Sequence, residues 1–558
     1  MKRNILIIGG LFFVAIVAFF VYKAVAPSKP VNVQLLALND FHGNLLPPSG
    51  SSGQVGGVDA GGVEYLATHI DTLRGENPNT VVVSAGDLVG ASPLLSALFH
   101  DEPTIEAFNL IRLDFNAVGN HEFDEGWAEL KRLQEGGCHP VDGCLDGDDF
   151  SGAEFKFLAA NVINKETGEP IFPAYEVREF EGVKIAFIGM TLKGTPSIVT
   201  PSGVADLEFL DEAETVNAII PELQAQGIET IVVLVHEGAR QNGDAPTANT
   251  CQDIDGPIVD IVSRFDDAVD VVISGHTHQA YNCLLDGKLL TSAMSFGRLV
   301  TQIHLTIDPK TGDVTTMEAN NLVVTRDVEK ASLLTALIER YNKVAEPLAN
   351  HEVGTITADI LREPNDAGEM ALGDVIADSQ LFATSAPDMG NAVIAFMNPG
   401  GIRADLVYAA SVGEGDGTVT FGEIFTVQPF NNNLVTLTLT GEQIDALLEQ
   451  QFVDCGQTEN PRILQVSEGF SYTWKASGAP CEKVDPATIF LNDEPIDPAK
   501  EYRVTVNSYL ADGGDRFKVL TEGTDRLVGV MDLDALEAYM LQASPVEPGA
   551  QDRIKVIP

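Results

Sequence analysis

Seven short apolar runs, separated by helical or loop segments, occur between about Val33 and Val324. Apolar runs of about four to eight residues that alternate with helical segments are typical of α/β folds, in which the strands are buried on both faces. The sequence therefore predicts an α/β fold for this part of the chain. The runs are VQLLAL, TVVVSAG, FNAVGN, FKFLAAN, KIAFIGM, TIVVLVH and DVVISGH.

A second unit follows, with clear elements in AVIAFMN, VTLTLTGEQIDALLEQQF, FSYTWKAS and EYRVTVNSYL. Between the two units, the stretch LLTALIERY has apolar residues at helical spacing, which predicts a connecting helix that packs against the protein. The chain has 558 residues, more than the about 250–300 residues at which single cores stop growing. We therefore predict an α/β domain over 31–326, a linker helix over 327–350, and an α/β or α+β domain over 351–558.

The first 30 residues indicate an export signal. Lys2 and Arg3 precede an uncharged apolar stretch, Ile5 to Tyr22. This stretch is longer than the core of a cleaved signal peptide, about 7–15 residues, and close to the about 18–20 residues that span a bilayer. AVA at 24–26 resembles a cleavage site, but Pro27 follows it and should obstruct a peptidase. We predict an uncleaved membrane anchor with the remaining chain outside the cytoplasm; the alternative is a cleaved signal peptide.

The cysteines agree with an oxidising compartment, because they are even in number and lie in sequence-local pairs. Six cysteines allow many pairings, so proximity alone suggests the partners. The expected pairs are Cys138 with Cys144, Cys251 with Cys283, and Cys455 with Cys481.

The formal net charge of −47 argues against a nucleic-acid polymer as partner, because phosphate backbones are bound by Lys and Arg patches. The carboxylates are typical of a solvated acidic surface. An anionic substrate would need local positive charge from metal ions or a few placed arginines, since salt screens the distant charges beyond about 10 Å.

Polar side chains of the types that bind metals follow the apolar runs, each just past the end of a predicted strand. Loops converge at the carboxyl ends of parallel strands, so residues distant in sequence meet there. Five of the ten histidines occur at these ends. Together they predict a metal site. The polar residues are Asp40, His42, Asp87, Asn120, His121, His236, His276 and His278.

The residue types also indicate which metals and how many. Imidazole with carboxylate suits Zn²⁺, Mn²⁺, Fe or Co, of which we expect Zn²⁺ or Mn²⁺. Seven candidate ligands, all the polar residues above except His121, are too many for one tetrahedral ion. Two ions about 3.5–4 Å apart, bridged by one carboxylate, would use them all, and such pairs catalyse in-line phosphoryl displacement.

The motifs DFHGN, GDLVGAS, GNHEFD and GHTH resemble those of calcineurin-like metallophosphatases. From about residue 33 to 558 the chain resembles the secreted 5′-nucleotidase family, which includes UDP-sugar hydrolases and 2′,3′-cyclic phosphodiesterases. This resemblance implies an N-terminal β-sandwich flanked by helices (α/β/β/α) and a C-terminal substrate-binding domain. It implies that Asp87 bridges two ions. The first ion would be held by Asp40, His42, Asp87 and His278, the second by Asp87, Asn120, His236 and His276; His278 stands where some relatives have Gln.

The resemblance also implies a catalytic role for His121, which faces the phosphate without binding metal. Asp124, three residues further on, lies on the same side of a helical turn and would orient His121 and favour its charged form. A protonated His121 stabilises phosphoryl charge or donates a proton to the leaving oxygen. Glu122 is interpreted as a surface residue.

In the second unit, FMNPGGIRADL resembles the NGGGIR motif of the family, with Pro399 in place of its first glycine. The resemblance implies nucleotide contacts from this turn, base stacking on two aromatic residues, a carboxylate for the ribose hydroxyls and a further phosphate contact. The turn residues are Asn398, Gly401 and Arg403, and the stacking aromatics are Phe430 and Tyr509. The carboxylate for the ribose is Asp515, and the further phosphate contact is Arg362.

The sequence thus predicts an exported dinuclear-metal phosphoesterase that hydrolyses nucleoside 5′-monophosphates. Cleavage of a 2′,3′-cyclic nucleotide, with 3′-nucleotidase activity, or of a UDP-sugar is the alternative within the enzyme class. A surface protein that binds nucleotide or metal without turnover is the alternative from another class. The sequence leaves the oligomeric state open.

Overall fold

The computed structural model describes residues 29–48, 53–242, 247–409, 415–430, 432–458 and 460–558. The predicted anchor, Ile5 to Tyr22, lies outside the described residues. Within the described ranges, no helix has the length and apolar character that crossing a membrane requires.

Two six-stranded mixed sheets form the N-terminal half. Six of the seven predicted apolar runs are inner strands of these sheets, and FKFLAAN forms the edge strand Lys156–Leu158 of the first sheet. Parallel pairing in the first sheet joins Val31–Leu38 to Thr80–Ser84, and in the second joins Thr230–His236 to Val271–Ser274. In spatial order the first sheet contains Val314–Val323, Leu299–Ile307, Val31–Leu38, Thr80–Ser84, Phe115–Ala117 and Lys156–Leu158. The second contains Ala280–Leu285, Lys288–Ala293, Val271–Ser274, Thr230–His236, Val183–Thr191 and Tyr175–Phe180.

The two sheets pack face to face, and helices cover their outer faces. Val33 and Leu35 of one sheet share a buried apolar cluster with Val232 and Leu234 of the other. Two further clusters fill the spaces between sheet and helices. This α/β/β/α sandwich confirms the predicted fold class. It also places the carboxyl ends of the parallel strands at shared sheet edges.

The predicted linker helix begins later than expected, at Ser332, and ends at Ala349. Its buried side chains, including Leu334, Ile338 and Tyr341, join the apolar cluster on the outer face of the first sheet. The helix therefore packs against the protein, as its apolar spacing predicted, and the surface that it covers belongs to the N-terminal half.

The C-terminal half has a five-stranded and a four-stranded sheet. The five-stranded sheet contains, in spatial order, Gln465–Val466, Ile394–Met397, Glu501–Asn507, Asn433–Thr440 and Thr524–Met531; the four-stranded sheet contains Glu494–Pro495, Phe490–Leu491, Phe470–Lys475 and Ile554–Ile557. The α-helices of the described residues are Val63–Arg74, Leu94–Ala97, Glu102–Ile111, Trp127–Glu135, Glu212–Ala225, Pro257–Arg264, Ser332–Ala349, Ala371–Thr384, Phe421–Val427, Gly441–Glu449, Ser508–Ala511 and Asp532–Ala543.

Three disulfide bonds are present, and they confirm the pairing expected from proximity in the sequence. The bonded pairs are Cys138–Cys144, Cys251–Cys283 and Cys455–Cys481.

Candidate metal centre and adjoining cavities

The two sheets bring all seven candidate ligands together at the carboxyl ends of their strands. Asp40 and His42 follow Val31–Leu38, and Asp87 follows Thr80–Ser84. Asn120 follows Phe115–Ala117, His236 is the last residue of its strand, and His276 and His278 follow Val271–Ser274. Asp40, His42, Asp87, Asn120 and His236 are buried. The turns after separate strands therefore form one cluster.

Asp87 lies between two groups of donor atoms. The donor atoms of each group lie within 4.8 Å of one another. One group is Asp40, His42 and His278, and the other is Asp87, His236 and His276. Asp87 Oδ2 is 2.9 Å from His236 Nε2 and 3.6 Å from His42 Nε2. A carboxylate that bridges two ions requires this intermediate position.

The histidine tautomers suit metal binding. His42 Nδ1 lies 2.8 Å from the Gly90 carbonyl and His236 Nδ1 lies 2.8 Å from the Ala85 carbonyl, so each Nδ1–H donates to a backbone oxygen. Such bonds leave the Nε2 lone pairs facing the cluster, as in metal sites where an outer hydrogen bond fixes the tautomer.

One buried polar atom at this centre, Asn120 Oδ1, has no hydrogen-bond partner among the described residues. Buried polar groups are nearly always satisfied, so such an orphan needs an explanation. The donor set of imidazole, carboxylate and amide oxygen therefore fits divalent metal ions.

The pKa values of the histidines in the cluster also favour metal binding. Burial lowers the pKa of His42 to about 3 and that of His276 to about 4, which keeps both imidazoles in the neutral form that ligates. Burial also acts to lower the pKa of His236, but Asp87 and Asp40 raise it to about 10. Asp87 and Asp40 thus supply the negative charge that a divalent cation would neutralise.

The backbone is strained where these ligands occur. Non-glycine residues rarely adopt positive φ, and such conformations cluster at functional sites. Here the surrounding sheets impose them on successive turns. The strained residues and their φ angles are Asp40 (49°), His42 (48°), Asp87 (51°), His276 (68°) and His278 (54°).

His121 and Asp124 are paired beside the cluster. His121 begins a short 3₁₀ turn, His121–Phe123, and its Nδ1 lies 2.8 Å from Asp124 Oδ2. The backbone N–H of His121 donates to Asp87 Oδ1 at 2.9 Å. Burial acts to lower the pKa of His121, but Asp124 and Asp87 outweigh it and raise the pKa. The imidazole is therefore biased toward its charged form.

The interpretation of Glu122 as a surface residue is wrong. Its side chain is buried, because the 3₁₀ turn directs it inward. The carboxylate accepts hydrogen bonds from the backbone N–H groups of Asp87 (2.9 Å), Leu88 (2.8 Å) and Gly119 (2.7 Å), and from Asn116 Nδ2 (3.1 Å). Glu122 therefore holds the Asp87 turn in place.

Six of the seven predicted substrate residues line a cavity of about 200 Å³ that His121, Asp124, Asn120 and His276 also line. The cavity is thus formed by side chains from both halves of the protein. The seventh residue, Arg362, lies on a separate and larger cavity of about 680 Å³, which includes His42, Asp87 and Arg403. The six residues of the smaller cavity are Asn398, Gly401, Arg403, Phe430, Tyr509 and Asp515.

Asp515 is held by a buried network. Its Oδ2 accepts a hydrogen bond from Asn398 Nδ2 at 3.0 Å, and its Oδ1 accepts one from the Tyr509 hydroxyl at 2.8 Å and forms an ion pair with Arg462. Asn398 Oδ1 in turn accepts from Asn507 Nδ2 at 3.0 Å. The sequence did not indicate Arg462 or Asn507, and no motif marks them; only the fold places them at this cavity.

Phe430 brings the C-terminal half next to His121. Its ring is nearly parallel to the His121 imidazole, at 16° and 5.9 Å between centroids. The Arg403 guanidinium lies 5.8 Å from the centroid of the same ring. The aromatic face of Phe430 thus lies beside His121, the histidine whose pKa is raised.

Two family models match the chain. The calcineurin-like phosphoesterase model matches residues 33–280, and the model of the 5′-nucleotidase C-terminal domain matches residues 352–522. The cell wall protein Lmo0130 of Listeria monocytogenes is 32% identical over 557 residues, which cover 95% of this chain and 69% of that protein. The chain belongs to the 5′-nucleotidase family. The resemblance is confirmed, and the chain is a metal-dependent phosphoester hydrolase.

Other matches extend over both halves. The 5′-nucleotidase precursor from Thermus thermophilus has a crystal structure with a TM-score of 0.75, at 26% identity, covering 94% of this chain and 99% of that one. The endonuclease YhcR of Bacillus subtilis is 32% identical over 544 residues, covering 96% of this chain. The chain spans only 42% of the length of YhcR.

Proposed function

We propose that this hydrolase removes phosphate from nucleoside 5′-monophosphates. The observation that carries the proposal is the cavity of about 200 Å³ in which candidate ligands and His121 meet aromatic and polar side chains of the C-terminal half. A phosphoryl group bound at the strand ends would leave its nucleoside in this cavity. We also propose the domain limits 31–326, 327–350 and 351–558.

Seven residues would hold two divalent ions, with Asp87 between them, and Zn²⁺ or Mn²⁺ suits the imidazole and carboxylate donors. The ions would be held by Asp40, His42, Asp87 and His278, and by Asp87, Asn120, His236 and His276. When bound, such ions activate a water and stabilise charge on the phosphoryl oxygens.

His121 acts as a charge-stabilising group and proton donor in this proposal. Its raised pKa keeps a proton available at Nε2, while Asp124 accepts the Nδ1 proton at 2.8 Å and fixes the ring. Proton transfer by a positioned side chain contributes about 10²–10⁴-fold in rate. The burial of Asp124 and His121, whose side chains are only 19% and 15% exposed, limits competition from bulk water.

The nucleoside would be recognised by the C-terminal half. Phe430 and Tyr509 offer faces for the base, and the Asn398 and Asp515 network lies where ribose hydroxyls would approach. Arg403 reaches both cavities, so it can contact either the nucleoside or the phosphate. No nucleic-acid polymer is expected as a partner, because the net charge of −47 opposes it.

We propose that the enzyme acts outside the cytoplasm. Three disulfide bonds support an oxidising compartment. A relative that is 32% identical is named a cell wall protein. The proposed attachment is the apolar stretch Ile5 to Tyr22 as an uncleaved anchor, with a cleaved signal peptide as the alternative.

One observation favours a second substrate class, a nucleotide diphosphate sugar or a cyclic nucleotide. The larger cavity of about 680 Å³ reaches His42, Asp87 and His121 and carries Arg362 and Arg403. A substituent beyond the scissile phosphate could extend into this cavity, where the arginines would balance its charge.

The proposal is tested with the soluble fragment that begins at residue 31. Phosphate release is measured after chelation and re-addition of Zn²⁺ or Mn²⁺, on a panel of nucleoside monophosphates, a cyclic nucleotide, a UDP-sugar and a small aryl phosphate. We expect the nucleoside 5′-monophosphates to have the highest kcat/KM.

The matched control is His121→Ala, which should lose turnover by about 10²–10⁴-fold and keep its bound metal. Preference for the UDP-sugar or cyclic substrate would favour the second class. Metal or nucleotide binding without turnover in the unaltered fragment would contradict hydrolysis and favour a binding protein.

A further inference from the structure

A second cluster of imidazoles and carboxylates lies beside the loop closed by the Cys138–Cys144 disulfide. His139 and Asp142 belong to this loop, and His100 follows the helix Leu94–Ala97. The fourth member is Glu125, the residue after Asp124. None of the four has a role in the proposed reaction.

Asp142 lies close to one ring nitrogen of each of the two histidines in this cluster. Asp142 Oδ2 lies 2.9 Å from His100 Nε2 and 3.3 Å from His139 Nδ1. With metal–ligand bonds of about 2.0–2.2 Å, the ligand atoms of a tetrahedral zinc ion lie about 3.3 Å apart. The Asp142 carboxylate oxygen therefore lies at ligand spacing from one nitrogen of each imidazole.

Glu125 supplies the outer hydrogen bond that metal-bound histidines require. His100 Nδ1 lies 2.8 Å from Glu125 Oε2. A ligating histidine almost always donates its other ring N–H to a carboxylate, carbonyl or water, which fixes the ring orientation. His100 is thus oriented with Nε2 toward Asp142 by a carboxylate on a separate turn.

The charge around His100 also favours a cation. Burial acts to lower its pKa, but Glu125 and Asp142 outweigh it and raise the pKa to about 9. His139 Nδ1 accepts a hydrogen bond from the backbone N–H of Asp142 at 3.2 Å, so its lone pair is on the side of Asp142. A divalent cation would replace the proton on His100 Nε2 and would take the His139 Nδ1 lone pair from the backbone N–H of Asp142.

Binding requires one ring to move. The His100 and His139 rings are stacked at 3.7 Å and inclined by only 16°, whereas an ion lies in the plane of each imidazole that binds it. The χ2 torsion of histidine is broad, so His139 can rotate about its Cβ–Cγ bond, at the cost of the ring stacking and of the hydrogen bond from the Asp142 backbone N–H. The disulfide keeps the loop ends together during this rotation, with 4.8 Å between the two Cα atoms.

We propose that His100, His139 and Asp142 form a third metal site, separate from the catalytic centre, that binds Zn²⁺ with Glu125 as the outer carboxylate. A donor set of two imidazoles and a carboxylate suits zinc, with water as the fourth ligand. The site goes beyond the proposed hydrolysis and does not depend on which phosphoester is cleaved.

The test measures the amount of zinc that each chain binds. The chelator-stripped enzyme is equilibrated with buffered Zn²⁺ and gel-filtered, and zinc per chain is measured for the unaltered enzyme and for His139→Ala, Asp142→Asn and the control His351→Ala. His351 is a surface histidine, 55% exposed, outside this cluster. We expect His139→Ala and Asp142→Asn each to bind one equivalent less than the unaltered enzyme, and His351→Ala to bind the same amount.

Aryl phosphatase activity, measured on the same samples, should be unchanged in all variants. The proposal is overturned if the cluster variants retain the full zinc content. It is also overturned if they lose activity together with the zinc, because the missing ion would then belong to the catalytic centre. Folding is checked by circular dichroism, and anomalous diffraction at the zinc edge should place an ion between His100 and His139.

Discussion

Phe430→Ala separates recognition of the nucleoside from chemistry at the phosphate. The ring lies on the shared cavity, beside His121, and presents an aromatic face that only a substrate with a base can use. Stacking of a base on an aromatic side chain is worth about 1–3 kcal/mol. At about 1.4 kcal/mol per tenfold, kcat/KM for adenosine monophosphate should fall by roughly five- to a hundred-fold.

A small alkyl phosphate, which has no aromatic ring, supplies the reference. It presents the same phosphoryl group to the metals and His121, but has no nucleoside for the C-terminal half to bind. The 5.9 Å ring contact with His121 predicts a smaller loss that both substrates share. The ratio of the two kcat/KM values therefore isolates the contribution of stacking.

The assay follows phosphate release from both substrates by the unaltered enzyme, Phe430→Ala and Phe382→Ala. Phe382 is a matched aromatic control in the C-terminal half, 38% exposed and outside both cavities. We expect Phe382→Ala to leave both substrates unaffected. Equal losses for both substrates in Phe430→Ala would refute the reasoning, since the aromatic would then act only by packing.

Three further substitutions test residues that hold the candidate site or the fold in place. Gly119→Ala should weaken metal binding and turnover, because a Cβ there would lie 2.2 Å from Asp87 Oδ1; Gly529→Ala, whose nearest contact would be 3.5 Å, is the control for metal content. Glu122→Gln should lower the free energy of unfolding by about 1–3 kcal/mol, measured by urea titration, because its amide would face backbone N–H groups. Burial raises the pKa of Asp532 to about 7, whereas unfolded Asp titrates at about 3.9. Its stabilising contribution is therefore full below about pH 4 and lost as pH rises through 7, so the stability of the unaltered enzyme relative to Asp532→Asn should fall between these pH values; a constant difference would contradict the assignment.

Much of the fold could be predicted from periodicity, because the buried parallel strands are nearly continuous apolar runs. The seven candidate ligands could be predicted for the same reason, since a polar residue that directly follows such a run lies at the sheet edge. His236 shows this directly, as the final residue of its strand.

Other features depend on contacts that no local pattern reveals. Glu122 is buried because its carboxylate accepts hydrogen bonds from the backbone N–H groups of a turn that is distant in sequence. Arg462 and Asn507 reach the cavity only through the packing of the C-terminal half. Arg362 lies on the larger cavity instead of the smaller one, and no local pattern indicates this placement.

The central claim is that one carboxylate serves two metal ions that drive phosphoester hydrolysis. Asp87→Asn tests it most directly, because Asp87 Oδ2 lies 2.9 Å from His236 and 3.6 Å from His42, one in each group of donors. Metal content and phosphate release are measured on the same preparation of this variant. We predict that turnover is abolished and that bound metal falls below that of the unaltered enzyme. Unchanged metal content with unchanged activity would contradict the two-ion account.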